Sequence, residues 1–338
     1  MLTRKLLGAA RATRRYIAVA HNTSPYVTAY SWSSAGFGTK VSDPGTLPTG
    51  IGLGVAFTKA QDAIAVAHST APCVSVYPWT SSGFGSKYSN PATPPTTSSR
   101  HVAFNAAGTY IAAACDDSPY VLAYPWSSAG FGTKVSNPAT LPGVVGTGVA
   151  FSPTGNSIAV GSQGSPYIQV YPWTTGFGSK YSDPGTLPNG ACIPTWSPDS
   201  TVLAVSRTGS PYINAYAFTE GVGFGSTYSN PASLAAGQGN GAAFNPAGTY
   251  IALAHVTTPF ISVWPWSAGF GTKVSDPGSL AAGNGTEVAW SPSGNEIALS
   301  HATTPFISAW AWTGSAFGSK FSNPGTLPAG NGNGVAFC

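Results

Sequence analysis

Charge is what this chain lacks most. Only 7% of its 338 residues are Asp, Glu, Lys or Arg, against about a quarter in an ordinary soluble domain. Ten acids and fourteen cations give a net +4. Five of those cations, Arg4, Lys5, Arg11, Arg14 and Arg15, sit in the first fifteen residues, so residues 16–338 hold nine cations against ten acids, a net −1. A body that close to neutral has no concentrated basic surface, which argues against nucleic-acid binding outside the tail. Methionine occurs once, and with Glu and Lys also sparse a helical protein is disfavoured. No apolar run approaches the roughly 18 residues of a membrane-spanning helix. The first fifteen residues lack the apolar stretch of a secretion signal.

What is present is glycine (42), proline (29) and aromatic residues (10 Trp, 15 Tyr, 16 Phe), with 42% hydrophobic residues overall. That apolar content is ample to offset folding entropy, so the expectation is a folded all-β chain punctuated by turns and not a disordered one.

The chain repeats itself. Ser24-Pro25-Tyr26 returns as Ala71-Pro72-Cys73, Ser118-Pro119-Tyr120, Ser165-Pro166-Tyr167, Ser210-Pro211-Tyr212, Thr258-Pro259-Phe260 and Thr304-Pro305-Phe306. Pro25 to Pro305 spans 280 residues in six intervals, about 47 residues each. A second marker, the Phe of Gly-Phe-Gly, also recurs seven times, at Phe37, Phe84, Phe131, Phe177, Phe224, Phe270 and Phe317. Each period holds four short runs of β-branched and aromatic residues; in the fourth copy they are Thr147–Phe151, Ser157–Gly161, Tyr167–Trp173 and Gly178–Tyr181. Four antiparallel strands per repeat of this length is a propeller blade, and seven blades close a ring. The sequence therefore predicts one seven-bladed β-propeller over residues 16–338, preceded by a basic tail, residues 1–15.

Closure has its own signature. An aromatic ends the first strand of every copy, at Phe57, Phe104, Phe151, Trp196, Phe244, Trp290 and Phe337, but the last copy stops at Cys338. Its missing partner is Tyr16–His21 at the other end of the chain, so one blade is expected to contain both termini, leaving no open sheet edge.

Gly148–Asn156 and Val288–Asn295 resemble the segment between the inner strands of WD40-like propellers. The repeats lack the Gly-His pair and carry Tyr171-Pro172-Trp173 where the Trp-Asp dipeptide would stand. The Tyr-Pro-Trp, Gly-Phe-Gly and Asx-Pro pattern is also similar to repeat proteins encoded in bacteriophage and prophage genomes. That resemblance implies a virion-associated decoration, fibre or host-attachment module and a virion localisation.

Several recurring residues invite a functional reading. His21, His68, His255 and His301 share one repeat position, replaced elsewhere by Cys115, Ser162 and Arg207. They belong to consecutive blades, but sheets about 10 Å apart are too distant to share a zinc ion, so they are read first as strand-end polar groups and only second as a binding arc. Lys40, Lys87, Lys134, Lys180, Lys273 and Lys320 recur three residues before an Asx-Pro turn, with Thr227 in the fifth copy. They form either a cationic ring for an anionic glycan or acidic partner, or edge lysines that prevent strand pairing, the latter being preferred. Asp43, Asp183 and Asp276 alternate with Asn at one position, so that position uses hydrogen bonding and not ionisation. The other acids, Asp62, Asp116, Asp117, Asp199, Glu220, Glu287 and Glu296, show no pairing suited to acid–base work.

The column Trp32, Trp79, Trp126, Trp173, Phe218, Trp266 and Trp312 suits inter-blade packing, with sugar stacking as the alternative. Cys73, Cys115, Cys192 and Cys338 occupy four different repeat positions, so isolated thiols are expected. No phosphate loop, cofactor or metal site is indicated. In the tail, Arg4, Lys5, Arg11, Arg14 and Arg15 interleave with Leu2, Leu6 and Leu7, a spacing for a short basic helix docking the ring on a larger assembly, or for an unstructured terminus. The sequence reading is thus a non-enzymatic binding or structural propeller with a protein partner. A multivalent lectin binding surface glycans is the alternative, and an enzyme is disfavoured by the shortage of ionisable groups.

Overall fold

The computed structural model describes residues 15–338, all of them in strands, turns and loops. The tail residues Arg4, Lys5, Arg11 and Arg14 lie outside the described residues. Arg15 opens the first strand, Arg15–His21.

The architecture is a seven-bladed β-propeller of antiparallel blades. Blade I is built from both ends of the chain: Gly332–Phe337 is its inner strand, followed outward by Arg15–His21, Val27–Ser33 and Gly36–Lys40. The join is in register, with Ile17 opposite Phe337 and Val19 opposite Val335. Blades II to VII follow in chain order, with inner strands Gly52–Phe57, Ser99–Phe104, Gly146–Phe151, Cys192–Trp196, Gly239–Phe244 and Gly285–Trp290. In blades IV and VI the fourth strand shrinks to one bridge, Trp173 with Phe177 and Trp266 with Phe270. The strand expected at Gly178–Tyr181 is absent as such.

Both faces of each blade are covered by its neighbours, which is why apolar residues run continuously along the second strands instead of alternating. Ala63–His68 and Glu296–His301 are buried at every position. The aromatic column is core: Trp126 lies edge-on to Phe131 of its own blade at 5.1 Å and to Tyr88 of the preceding blade at 4.9 Å, an arrangement repeated with Trp266 between Phe270 and Tyr228. Gly36 shows why the Gly-Phe-Gly motif begins with glycine: its φ is +95°, and a Cβ there would come within 2.8 Å of Phe321 in the adjacent blade.

Candidate functional site

The ring has one bore, and the inner strands decide what faces it. Six of them carry a bulge after their first residue; in blade III the pairing slips between Ser99 and His101, and in blade VII between Gly285 and Glu287. The bulged residues are Leu53, Arg100, Thr147, Asn240, Thr286 and Asn333. Together with Ile193, Thr208 and Gln238 they line a cavity of about 370 Å³ at one mouth of the bore. Each amide or hydroxyl reaches to the next blade: Asn240 Nδ2 donates to the Gly285 carbonyl at 2.7 Å, Thr286 Oγ1 to Gly332 at 2.7 Å and Asn333 Nδ2 to Gly52 at 2.8 Å. Arg100 stands at this mouth, paired with Asp116, with one contact at 3.2 Å.

One residue deeper, the seven positions are Gly54, His101, Gly148, Ile193, Gly241, Glu287 and Gly334. The glycines are there because the strands approach closely. A Cβ on Gly334 would lie 3.0 Å from Gly54, and one on Gly148 would lie 2.8 Å from Ile193. His101 and Glu287 are the two ionisable exceptions. His101 turns toward blade IV, where Nδ1 meets the Val149 carbonyl at 3.1 Å. Glu287 turns toward blade VI, since a Cβ on Gly241 would stand 2.6 Å from its Oε1. His101 thus leans against blade IV and Glu287 against blade VI. Both line a second cavity of about 440 Å³, together with Phe57, Phe104, Phe151, Phe244, Trp290 and Phe337. Ile193 lines both cavities.

The electrostatics of this pair follow from the ring of backbone around them. Burial pushes the Glu287 carboxyl up to about 8, a backbone hydrogen bond at Val288 opposing this, so it holds its proton at neutral pH. Burial lowers the His101 imidazole, partly opposed by its bond to Val149. Because a carbonyl only accepts, Nδ1 must carry the proton, and the Nε2 lone pair is left as a base. A neutral acid and a neutral base thus line one cavity, groups suited to proton transfer to and from a substrate.

The recurring residues singled out from the sequence lie elsewhere. His21, His68, His255 and His301 are fully buried between blades, each Nε2 bonded to a hydroxyl seven residues on: Thr28 at 2.9 Å, and Ser75, Ser262 and Ser308 at 3.0 Å. Burial lowers all four to about 4. Lys40, Lys180 and Lys273 pair with Asp43, Asp183 and Asp276, while Lys87 and Lys134 donate to Asn90 and Asn137. Lys320 donates to the Leu280 carbonyl at 3.3 Å. Arg15 joins blade I to blade VII through Glu296. Among the described residues, no three His, Cys, Asp or Glu side chains are grouped as a metal site, and no helix is long and apolar enough to cross a membrane.

Sequence reasoning passed over His101 because it does not recur, and dismissed Glu287 as one of the scattered acids. The available signal was register: each stands where four other repeats have glycine.

No family model and no curated protein matches the chain. Solved structures do match its fold. A candidate 6-phosphogluconolactonase from Bacteroides fragilis aligns with TM-score 0.77 and 12% identity over 98% of this chain and 99% of that one. Another from Bacteroides uniformis aligns with TM-score 0.73 and 13% identity, over 96% and 99%. The periplasmic gluconolactonase of Pseudomonas aeruginosa aligns with TM-score 0.72 and 14% identity, over 96% and 99%. These neighbours share the seven-bladed fold and are named as hydrolases, not as WD40 or virion proteins.

Two expectations are corrected here. The non-enzymatic virion module, with its lectin alternative, gives way, because the matching propellers bear lactonase names. The exclusion of an enzyme gives way for a physical reason: scarcity over the whole chain does not prevent the few ionisable groups from meeting in one bore.

Proposed function

We propose that the propeller is a hydrolase that opens the lactone of a small polyhydroxylated acid inside its bore. The observation that carries this reading is that Glu287, which burial keeps protonated, and His101, whose Nδ1 is held by the Val149 carbonyl, line one cavity of the bore. The lactonase names of its fold neighbours supply the substrate class.

In this mechanism His101 Nε2 takes a proton from water as the hydroxide oxygen bonds to the lactone carbonyl carbon. The ring C–O bond then breaks, and Glu287 gives its proton to the departing oxygen. The product is an open-chain hydroxy acid, and the proton on His101 returns to Glu287 through solvent. The polar mouth of Arg100, Thr147, Asn240, Thr286 and Asn333 suits the hydroxyl groups of such a substrate.

The test is hydrolysis of glucono-δ-lactone, followed by acid release in a pH-stat, with the spontaneous rate subtracted. Wild type should exceed the spontaneous rate, and His101→Gln or Glu287→Gln should each lower kcat by about 10²–10⁴ with the fold retained by circular dichroism. A wild-type rate no faster than water alone, across glucono- and galactono-lactones, would overturn the proposal.

A further inference from the structure

Blade V breaks the repeat at the position the buried histidines occupy. Arg207 stands there, 5% exposed, at the end of strand Val202–Arg207. In the other blades this position needs no charge: the histidines are neutral and bonded to hydroxyls, and Cys115 and Ser162 replace them in blades III and IV. Arg207 brings a permanent cation to the same depth.

Nothing in the structure neutralises it. Among the described residues it forms no ion pair; its one hydrogen bond is from Nη1 to the Asn189 carbonyl at 3.5 Å, and Nε is buried without a partner. The carboxylate that follows the lysine in three other blades is absent, since blade V has Thr227 and Asn230 at those two positions. The ionisable groups that interact with its charge, the Tyr216 hydroxyl and the Cys192 thiol, are both held protonated by burial, Cys192 being pushed up to about 12.

The surroundings repeat the deficit. Tyr216 is the one tyrosine of its repeat position whose hydroxyl is buried and unpartnered; Tyr30, Tyr77, Tyr124 and Tyr171 each donate to a backbone carbonyl at 2.7–2.9 Å. Asn214, opposite Arg207 in the role the serines play elsewhere, donates to Asn230 at 3.2 Å and leaves Oδ1 unbonded. A guanidinium whose Nε is buried without a partner, interacting electrostatically with an unpartnered hydroxyl, is costly unless something negative joins it.

We infer that the interface between blades IV and V binds a small inorganic anion of the halide class, held by the Arg207 guanidinium and the Tyr216 hydroxyl. Ser206 and Thr208 line the bore while Arg207 between them does not. Its side chain leaves the strand on the face of Val205, which packs with Ile168 and Val170 of blade IV, and a monatomic ion is the smallest anion that suits so close-packed an interface. This site is independent of the chemistry in the bore.

The experiment has two arms, both on the full chain. Crystals grown in sodium bromide should give an anomalous peak at hydrogen-bond distance from Arg207. Replacing sodium gluconate by sodium chloride at constant ionic strength should raise the melting temperature by about 2 °C, the shift expected at tenfold saturation. Arg207→His with Asn214→Ser restores the histidine–serine pair of the other blades and should abolish the chloride response. A peakless interface occupied by water, or equal melting temperatures in the two salts, would overturn the inference even if the double variant failed to fold.

Discussion

Acidification should unfold this ring steeply, because four fully buried histidines must take up protons on unfolding. His21, His68, His255 and His301 drop from 6.5 to about 4 in the folded state through burial. A depressed histidine favours the fold in its neutral form, so this contribution is complete above pH 6.5 and is lost as pH falls toward 4. Each tenfold weakening of proton binding is worth about 1.4 kcal/mol, so each histidine accounts for about 3 kcal/mol, and the set for on the order of 10 kcal/mol. That is comparable to the whole stability of a typical domain. His101 acts in the same direction. Glu287 opposes it: raised from 4.5 to about 8, it costs stability as pH rises through that window. Between pH 6.5 and 4.5 the four histidines set against Glu287 leave a balance of about three protons, or roughly 4 kcal/mol for each step of one in pH. Above 6.5 only the shallow Glu287 slope remains, so stability should peak near pH 6.5. Urea midpoints followed by tryptophan fluorescence at fixed ionic strength would trace this curve, and His68→Gln should remove about one proton from the acid limb. A midpoint that stays flat between pH 6.5 and 5 would refute the reasoning.

Two further outcomes follow from the geometry. Removing residues 330–338 takes away the inner strand that pairs with Arg15–His21, and the cooperative thermal transition should be lost; a truncated chain melting at the wild-type temperature would count against closure. Gly241→Ala places a methyl within 2.6 Å of Glu287 Oε1, so it should displace that carboxyl and lower lactone turnover at least tenfold while shifting the melting temperature by only a few degrees; unchanged turnover would remove Glu287 from the mechanism.

The fold was legible because every blade meets the same packing problem. Trp126 and its counterparts, the Gly-Phe-Gly turn and the orphan partner of Tyr16–His21 each repeat or complete a pattern, and periodicity exposes them. The fourth strand of blades IV and VI was less legible, since Gly176-Phe177 and Gly269-Phe270 read like Gly130-Phe131 yet keep only a single bridge. The site was not legible by the same means. His101 and Glu287 lie 186 positions apart in sequence, with no spacing rule to join them; only the bulged register of the inner strands brings both into the bore.

In a ring of repeats, a residue present in four or more copies answers a need each blade shares. The buried histidines satisfy a strand-end hydroxyl, the lysines anchor an Asx turn, and the glycines at the bore let neighbouring strands touch. A ligand in a central passage, by contrast, sees seven strands at once and needs different groups from different directions. Sevenfold repetition of one side chain cannot supply an acid on one side and a base on the other. The proposed chemistry therefore falls where the repeat is broken, and the breaks at the bore are His101 and Glu287 in place of glycine. The same logic applies between blades, where Arg207 in place of histidine leaves a charge that the repeat has no partner for. Scarcity of charge, which at first argues against chemistry, instead makes each broken position conspicuous.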